Sequence, residues 1–180
     1  MIYIGIDGGP SGGIVALSPC AGLEPILTAP MPTVKQGKGM VVDGRAVVSL
    51  LRNLPWPTDS LHVAIEDLPH HSMSKAAMRS MALNFGRLTG AIEARLQSDR
   101  VTVEYVPAGN AKASWQRTML SVEGEGTKAA ALTAAGLIWP GFNWIQPGCR
   151  KPSDGIIDAA LIAEHARRRI EGFKPSGLSM

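Results

Sequence analysis

The sequence predicts an α/β domain built on a mixed five-stranded sheet, with helices on both faces of the sheet. Three short apolar runs, separated by glycine- and proline-containing segments, occupy the first 30 residues and predict an antiparallel meander of three strands. Beyond residue 60, apolar strands alternate with longer segments of helical periodicity, which predicts α/β crossovers. At 180 residues, 45% of them hydrophobic, the chain has the length and apolar content of one domain, so we expect residues 1–180 to fold as one unit.

The strands are predicted from apolar runs that contain β-branched residues and end at turn residues. The first run ends at a glycine-rich turn, after which the chain returns as the second strand. Residues 32–39 contain two lysines and two glycines and are predicted to form a loop. The run before Glu66 is apolar throughout, as in a central strand that is covered on both faces. The predicted strands are residues 2–7, 14–17, 25–30, 61–66 and 101–106.

Helices are predicted where apolar residues recur every three or four positions. Asp43 is a predicted N-cap of the first helix, and Pro55 follows the end of that helix. The second helix is long, about six turns, and Gly124 and Gly126 separate the third helix from the fourth. The predicted helices are residues 44–54, 74–97, 109–121, 127–138 and 154–170.

Acidic residues occur in three of these settings. Asp7 in IYIGIDGG and Glu66 in LHVAIEDL stand at the ends of apolar strands, whereas Asp154 and Asp158 begin the helix in PSDGIIDAALIAEHARRR. A four-residue spacing places Asp154 and Asp158 on one helix face. Carboxylate oxygens are the ligands that Mg²⁺ prefers. The four residues therefore predict a divalent-metal site, and such a site indicates a nuclease.

The ordered set of motifs resembles the ribonuclease H-like nuclease fold. Within that fold the chain looks most like the RuvC family of Holliday junction resolvases, in the shorter-motif form common among bacteriophage-encoded members. The match covers nearly the whole chain in order. The motifs that carry it are GIDGG with Asp7, AIED with Glu66, VPAGNAKASW with Lys112, the TKAAAL helix with Lys128 that ends in WP, and SDGIIDAALIAEH with Asp154 and Asp158.

The resemblance implies the roles of these residues. Asp7, Glu66, Asp154 and Asp158 would be the metal ligands, and Lys112 and Lys128 would contact oxygens of the scissile phosphate. The cofactor would be Mg²⁺, with Mn²⁺ able to substitute, and hydrolysis of a four-way DNA junction would leave 5′-phosphate and 3′-hydroxyl ends. Many bacterial members of the family space the last acidic pair three residues apart, whereas the spacing here is four; both spacings share a helix face.

Two of the acidic residues have simpler interpretations. Asp7 precedes two glycines and is placed to accept a hydrogen bond from the backbone of its own turn, as turn aspartates do. Asp154 follows Ser153 and is placed to be the N-cap of the last helix. Glu66 and Asp158 have no equivalent explanation.

The candidate DNA-binding residues are basic or histidine side chains in loops and at a helix end: Lys35, Lys38, His70, His71, Arg167 and Arg168. In related nucleases the loop that holds the histidine pair lies near the branch point of the junction. The competing interpretation is a solvated loop for the histidines, and favourable charge at a helix C-terminus for the arginines.

The helix predicted at residues 74–97 is rich in small residues, among them Gly86 and Gly90. Such residues allow a second helix to approach closely, and a resolvase needs two active sites related by a two-fold axis. We therefore expect a homodimer through this helix. The competing interpretation is that the small residues pack on the chain's own sheet.

Composition bears on localisation and on the kind of partner. No apolar run approaches the roughly 20 residues of a membrane span, no signal peptide is present, and the two cysteines lack metal-site spacing, so we expect a cytoplasmic protein of a bacterial or phage-infected cell. The net charge is +3 and would rise to +7 if a metal neutralised the four acidic residues, which suits a polyanionic partner.

Three further function classes compete with a junction resolvase. An ATPase of the actin and sugar-kinase type would need a duplicated half that this chain lacks. A related nuclease on the same fold would act on RNA or RNA–DNA hybrid, as a ribosomal RNA precursor processing enzyme does. A catalytically inactive junction-binding protein would not need the acidic set that this sequence retains.

Overall fold

The structure, a computed structural model, describes residues 1–18, 24–54, 60–67, 74–96, 100–109, 114–120 and 127–172. The predicted site residues His70, His71 and Lys112 lie outside the described residues. The strands are β1 (Ile2–Ile6), β2 (Gly13–Leu17), β3 (Pro25–Pro30), β4 (Thr33–Gln36), β5 (Gly39–Val42), β6 (Leu61–Glu66) and β7 (Val101–Val106). The helices are α1 (Gly44–Arg52), α2 (Lys75–Arg95), α3 (Trp115–Met119), α4 (Thr127–Ile138) and α5 (Asp154–Ile170).

The main sheet has five strands in the order β3-β2-β1-β6-β7. The pairs β1–β2 and β2–β3 are antiparallel, whereas β1–β6 and β6–β7 are parallel. The predicted mixed sheet with an initial meander is thus confirmed. Because β1 and β6 are adjacent and parallel, their carboxyl ends meet at one edge of the sheet.

Each face of the sheet is covered by a separate hydrophobic core. Along β1, Ile2, Ile4 and Ile6 point into the core formed with α1 and α2. Tyr3 points to the opposite core, which contains α3, α4 and α5. This alternation follows from the two-residue period of a strand, and it confirms the prediction of helices on both faces.

The prediction that residues 32–39 form a loop is wrong, because β4 and β5 form a separate two-stranded hairpin. Gln36 pairs with Gly39, so the turn consists of Gly37 and Lys38, and the positive φ of Gly37, 61°, suits glycine. The hairpin is fixed to α2 by side chains: Val42 N donates to Asn84 Oδ1 at 2.8 Å, and Arg87 Nε donates to Val42 O at 2.7 Å. Contacts distant in sequence therefore stabilise this basic segment as strands.

The helix predicted at residues 109–121 is shorter in the structure. Its described part, α3, begins after Ser114, whose Oγ accepts a hydrogen bond from Arg117 N at 3.1 Å, and it ends at Met119. Gly109 has a positive φ of 72° and therefore lies outside any helix. None of the described helices has both the length and the apolar character needed to cross a membrane.

Glycines allow α5 to lie directly on the backbone of the meander. A Cβ atom on Gly5 of β1 would collide with Ala159 O and Ala163 N of α5. A Cβ on Gly155 would lie 2.5 Å from Gly12 Cα, in the turn between β1 and β2. The first turn of α5 is therefore held against the turn that follows β1.

Candidate active site

The candidate site lies where β1 and β6 end. Ile6 pairs with Ile65 in the parallel register, so Asp7 and Glu66 follow neighbouring positions at one edge of the sheet. Ligands of α/β sheets commonly bind outside the carboxyl ends of parallel strands. Both carboxylates are half-buried. The fold thus places two acidic side chains from distant parts of the sequence side by side.

Asp7 is fixed by the glycine turn that follows it. Its backbone N donates to Gly13 O at 3.1 Å, and its Oδ1 accepts a hydrogen bond from Gly9 N at 3.3 Å. The predicted hydrogen bond of a turn aspartate is therefore present. It does not remove Asp7 from the site, because the same carboxyl group lies close enough to Glu66 and Asp158 to affect their pKa values.

The helix α5 contributes Asp154 and Asp158. Asp154 is the first helical residue and Ser153 is the N-cap, so the interpretation of Asp154 as the cap is wrong. Asp154 is half exposed and its Oδ2 lies 2.5 Å from Lys128 Nζ of α4. Asp158, one turn further along, is half-buried and faces the strand ends. Of the two predicted cleft lysines, the structure brings Lys128 to the acidic group.

Glu66 has a contact that was not predicted from the sequence. The indole Nε1 of Trp115 donates a hydrogen bond to Glu66 Oε1 at 3.0 Å. Trp115 is a core residue, with only 1% of its surface exposed. The one signal in the sequence that indicates a role for Trp115 is its position as the last residue of VPAGNAKASW, one of the motifs that carry the resemblance to the RuvC family.

The carboxylates interact electrostatically. Burial, followed by the charges of Asp7, Glu66 and Asp154, raises the pKa of Asp158 to about 7, and Lys128 opposes this effect. Burial also raises the pKa of Glu66 to about 7, against the lowering effect of the Trp115 hydrogen bond. The pKa of Asp7 is raised by burial as well. The structure thus brings together all four predicted acidic residues, and burial disfavours the negative charge of Asp7, Glu66 and Asp158.

This setting predicts an unusual dependence of stability on pH in metal-free buffer. The folded protein retains protons on Glu66 and Asp158 up to about pH 7, whereas the unfolded chain releases them near pH 4. The free energy of unfolding is therefore expected to be highest below pH 4 with respect to these groups, and to fall as the pH rises to about 7.

Asp158→Asn tests this prediction because it removes the charge and keeps the shape of the side chain. At pH 8 in chelator, the variant is expected to be more stable than the wild type by on the order of 2 kcal/mol. Urea denaturation across the pH range measures the difference, with exposed Glu24→Gln as the control. A variant that is equally or less stable at pH 8 would contradict the proposed burial of charge.

The donor set fits a divalent cation. Half-buried carboxylates that repel one another are relieved by a cation, and hard ions such as Mg²⁺ take carboxylate oxygens. Among the described residues, no group of three or more acidic, histidine or cysteine side chains is placed so that it could hold a metal ion without rearrangement. A metal would therefore bind with adjustment of the side chains, which the half-exposed Asp154 and its neighbours permit.

A pocket beside the carboxylates is bounded by the glycine turn and by α2. Its α2 wall includes Ser80, Asn84 and Phe85, and Asn84 is the residue that also binds the β4–β5 hairpin. The hairpin carries the predicted DNA-binding residues Lys35 and Lys38, both exposed. Asn84 thus links the hairpin to the wall of the candidate site.

The arginines predicted to bind DNA lie elsewhere. Arg167 is about 13 Å along α5 from Asp158, is buried, and forms ion pairs with Glu164 at 2.7 Å and Glu171 at 2.5 Å. Arg168 Nε also lies 2.7 Å from Glu164. The structure does not bring these arginines to the carboxylates. The sequence indicates this pairing, because Glu164 and Glu171 stand three or four positions from the arginines, a spacing that brings side chains together on a helix.

Comparison of the sequence with protein-family models and with curated proteins gives no match. Comparison with solved structures gives 19 matching chains, including two RuvC structures. The chain is similar to Thermus thermophilus RuvC in complex with a Holliday junction substrate, with a TM-score of 0.58, 14% identity, and coverage of 96% of this chain and 97% of that one. It is similar to a further T. thermophilus RuvC structure with a TM-score of 0.53, 16% identity and the same coverage. The protein therefore has the fold of these RuvC structures, the ribonuclease H-like architecture predicted from its sequence.

Proposed function

We propose that this protein is a structure-selective endodeoxyribonuclease that resolves four-way DNA junctions and also acts on further kinds of branched DNA. It would act in the cytoplasm of a bacterial or phage-infected cell. Hydrolysis would require Mg²⁺, for which Mn²⁺ substitutes, and would leave 5′-phosphate and 3′-hydroxyl ends. The observation that carries the proposal is the convergence of Asp7, Glu66 and Asp158 at one sheet edge of a RuvC-like fold.

Asp7, Glu66, Asp154 and Asp158 would hold the divalent ions. When bound, two such ions make a water molecule more acidic and neutralise the charge that develops on the leaving 3′-oxygen. Asp7 would be the central ligand, because it follows the middle strand of the sheet, β1, beside the end of β6, and lies close enough to Asp158 to affect the pKa of that residue. The glycines after Asp7 leave room for the backbone of a DNA strand to approach.

Lys128 supplies a positive charge beside the carboxylates. Its side chain is 80% exposed and is paired with Asp154. An exposed ion pair of this kind is weak, so the lysine is available to contact an oxygen of the scissile phosphate and to stabilise the developing charge. We assign the same role to Lys112, from its position in the motif.

The β4–β5 hairpin is proposed to contact DNA phosphates through Lys35 and Lys38. Replacing both lysines with Ala is expected to weaken junction binding and to reduce the slope of log K against log salt by about 2, because each phosphate contact contributes about one unit. The rate of cleavage by saturating enzyme should change little. Binding titrations at several salt concentrations provide the measurement.

Arg45→Ala is the matched control for the hairpin, since Arg45 is an exposed basic residue of α1. Its slope is expected to stay close to that of the wild type. If the hairpin variant kept the full salt dependence, the hairpin lysines would not be phosphate contacts. We retain contacts of His70, His71, Arg167 and Arg168 with DNA as proposals from the sequence alone.

A homodimer through α2 is part of the proposal. Gly86 and Gly90 are exposed, and a Cβ atom on either would meet no atom of the described chain within 4 Å. Met78 and Leu83 on the same helix are also exposed. These residues do not pack on the chain's own sheet, so they are available to a second copy of α2, which would place two active sites for cuts in opposed strands.

The function is tested by incubating the protein with Mg²⁺ and three end-labelled substrates of matched sequence: a four-way DNA junction, a linear duplex and an RNA–DNA hybrid. Paired, symmetric nicks confined to branched DNA are expected. Cleavage of the hybrid would instead support another nuclease of the same fold. Junction binding with no cleavage under any metal condition would support an inactive binding protein.

A further inference from the structure

Side-chain hydrogen bonds connect the short helix α3 to the segment after β7 and to α5. At its start, Ser114 Oγ donates to Gly109 O at 2.5 Å, and Gly109 N donates to the side chain of Gln116. At its other side, Thr118 Oγ1 lies 2.7 Å from Nδ1 of His165 on α5. The helix is therefore held between the end of β7 and the middle of α5.

This support fixes Trp115 next to the candidate site. Trp115 is 1% exposed and packs in the core with residues of α4 and α5. Its indole N–H is directed at Glu66 Oε1, 3.0 Å away. A buried indole has little rotational freedom, whereas a glutamate has three side-chain torsions whose ordering costs entropy. The indole therefore restricts Glu66, and not the reverse.

We propose that Trp115 is a positioning residue that orients Glu66 for binding a divalent cation, an inference that rests on the proposed function. The indole engages Oε1, so Oε2 would remain available to bind a cation. A neutral donor is suited to this task, because it orders the carboxylate and leaves its negative charge for the cation. Groups that hold metal ligands in this way typically contribute about 10- to 100-fold to metal affinity or activity.

Trp115→Phe tests the proposal, because it removes the N–H donor and keeps an aromatic ring. Calorimetric titration with Ca²⁺, in the absence of DNA, is expected to show affinity reduced by ~10- to 100-fold. The Mg²⁺ concentration for half-maximal junction cleavage should rise by the same factor. Saturating Mg²⁺ should restore most of the wild-type rate, which a general folding defect would not allow.

Trp144→Phe is the matched control. Trp144 is 5% exposed, and its buried Nε1 has no hydrogen-bond partner among the described residues. The same substitution there is expected to leave Ca²⁺ affinity unchanged. If Trp115→Phe does not fold, incorporation of benzothienylalanine at position 115 replaces the N–H with sulfur at nearly equal volume, and the same loss of affinity is expected.

The outcomes separate the two proposals. If the wild type neither binds Ca²⁺ nor cleaves the junction with Mg²⁺, the proposed function fails and this inference fails with it. If the wild type does both and the Trp115 variant matches it in Ca²⁺ affinity and Mg²⁺ requirement, only the role of Trp115 is overturned. In a Glu66→Gln background, Trp115→Phe should cause no additional loss of affinity; an equal loss there would show that Trp115 does not act through Glu66.

Discussion

Asp7→Asn is expected to reduce junction cleavage by on the order of 10³-fold or more, since it removes the charge from the central metal ligand. Asn has the same shape as Asp, and its side-chain oxygen can still accept the hydrogen bond from Gly9 N. The variant should therefore fold and bind a four-way junction with close to wild-type affinity. Cleavage of labelled junctions and gel-shift titrations in chelator provide the two measurements.

Asp43→Asn is the control for this experiment. Asp43 caps α1 through its Oδ1, which accepts hydrogen bonds from Arg45 N and Ala46 N. Asn caps helices about as well as Asp, so this variant should cleave normally. Loss of folding together with binding in Asp7→Asn would assign Asp7 a structural role in its turn, and retained cleavage would exclude it as a required metal ligand.

Gly5→Ala is expected to be the most destabilising single methyl group that can be added to β1. The new Cβ would collide with the backbone of α5 at Ala159 and Ala163, neither of which is a flexible side-chain end. Relief would require α5 to move away from the sheet, with a cost of about 3 kcal/mol, the upper end of the usual range for overpacking. Thermal or urea denaturation measures this loss, and any folded fraction should also cleave poorly because Asp158 moves with α5.

Gly136→Ala offers a comparison of the same chemical change in an open position. Gly136 lies in α4, is exposed, and would place its Cβ within 4 Å of no described atom. The variant should be more stable than the wild type by up to ~1 kcal/mol, the helix propensity of Ala over Gly. A Gly5→Ala protein as stable as the Gly136→Ala protein would contradict the direct packing of α5 on β1.

The acidic site was predictable because its parts carry local signals. Asp7 and Glu66 end apolar strands, and carboxylates in such places are costly unless they have a partner. The pairing of β1 with β6, which brings the two strand ends together, was not predicted from the sequence. The sequence could not show how deeply the carboxylates are buried, since that depends on the glycine contacts between α5 and the meander.

The β4–β5 hairpin and the Trp115 contact were missed for a different reason. Thr33–Gln36 is a short, polar strand, and the hairpin it forms is held by Asn84 and Arg87, more than 40 residues away in the sequence. Trp115 and Glu66 are 49 positions apart. The periodicity of apolar residues in a sequence does not indicate side-chain contacts between distant segments. They are specified by the three-dimensional fold, and for that reason only a structure shows which residues support the site.

The position of α5 in the chain has a consequence for biosynthesis. This helix packs on β1, β2 and β6, yet it begins at residue 154, after every described strand of the sheet has been translated. A nascent chain that has emerged through β7 carries Asp7 and Glu66 but lacks Asp154 and Asp158. Because domains fold as the chain emerges from the ribosome, Asp154 and Asp158 reach the site only when α5 docks on the sheet. The proposed nuclease would therefore stay inert until α5 has been synthesised and has docked on the sheet.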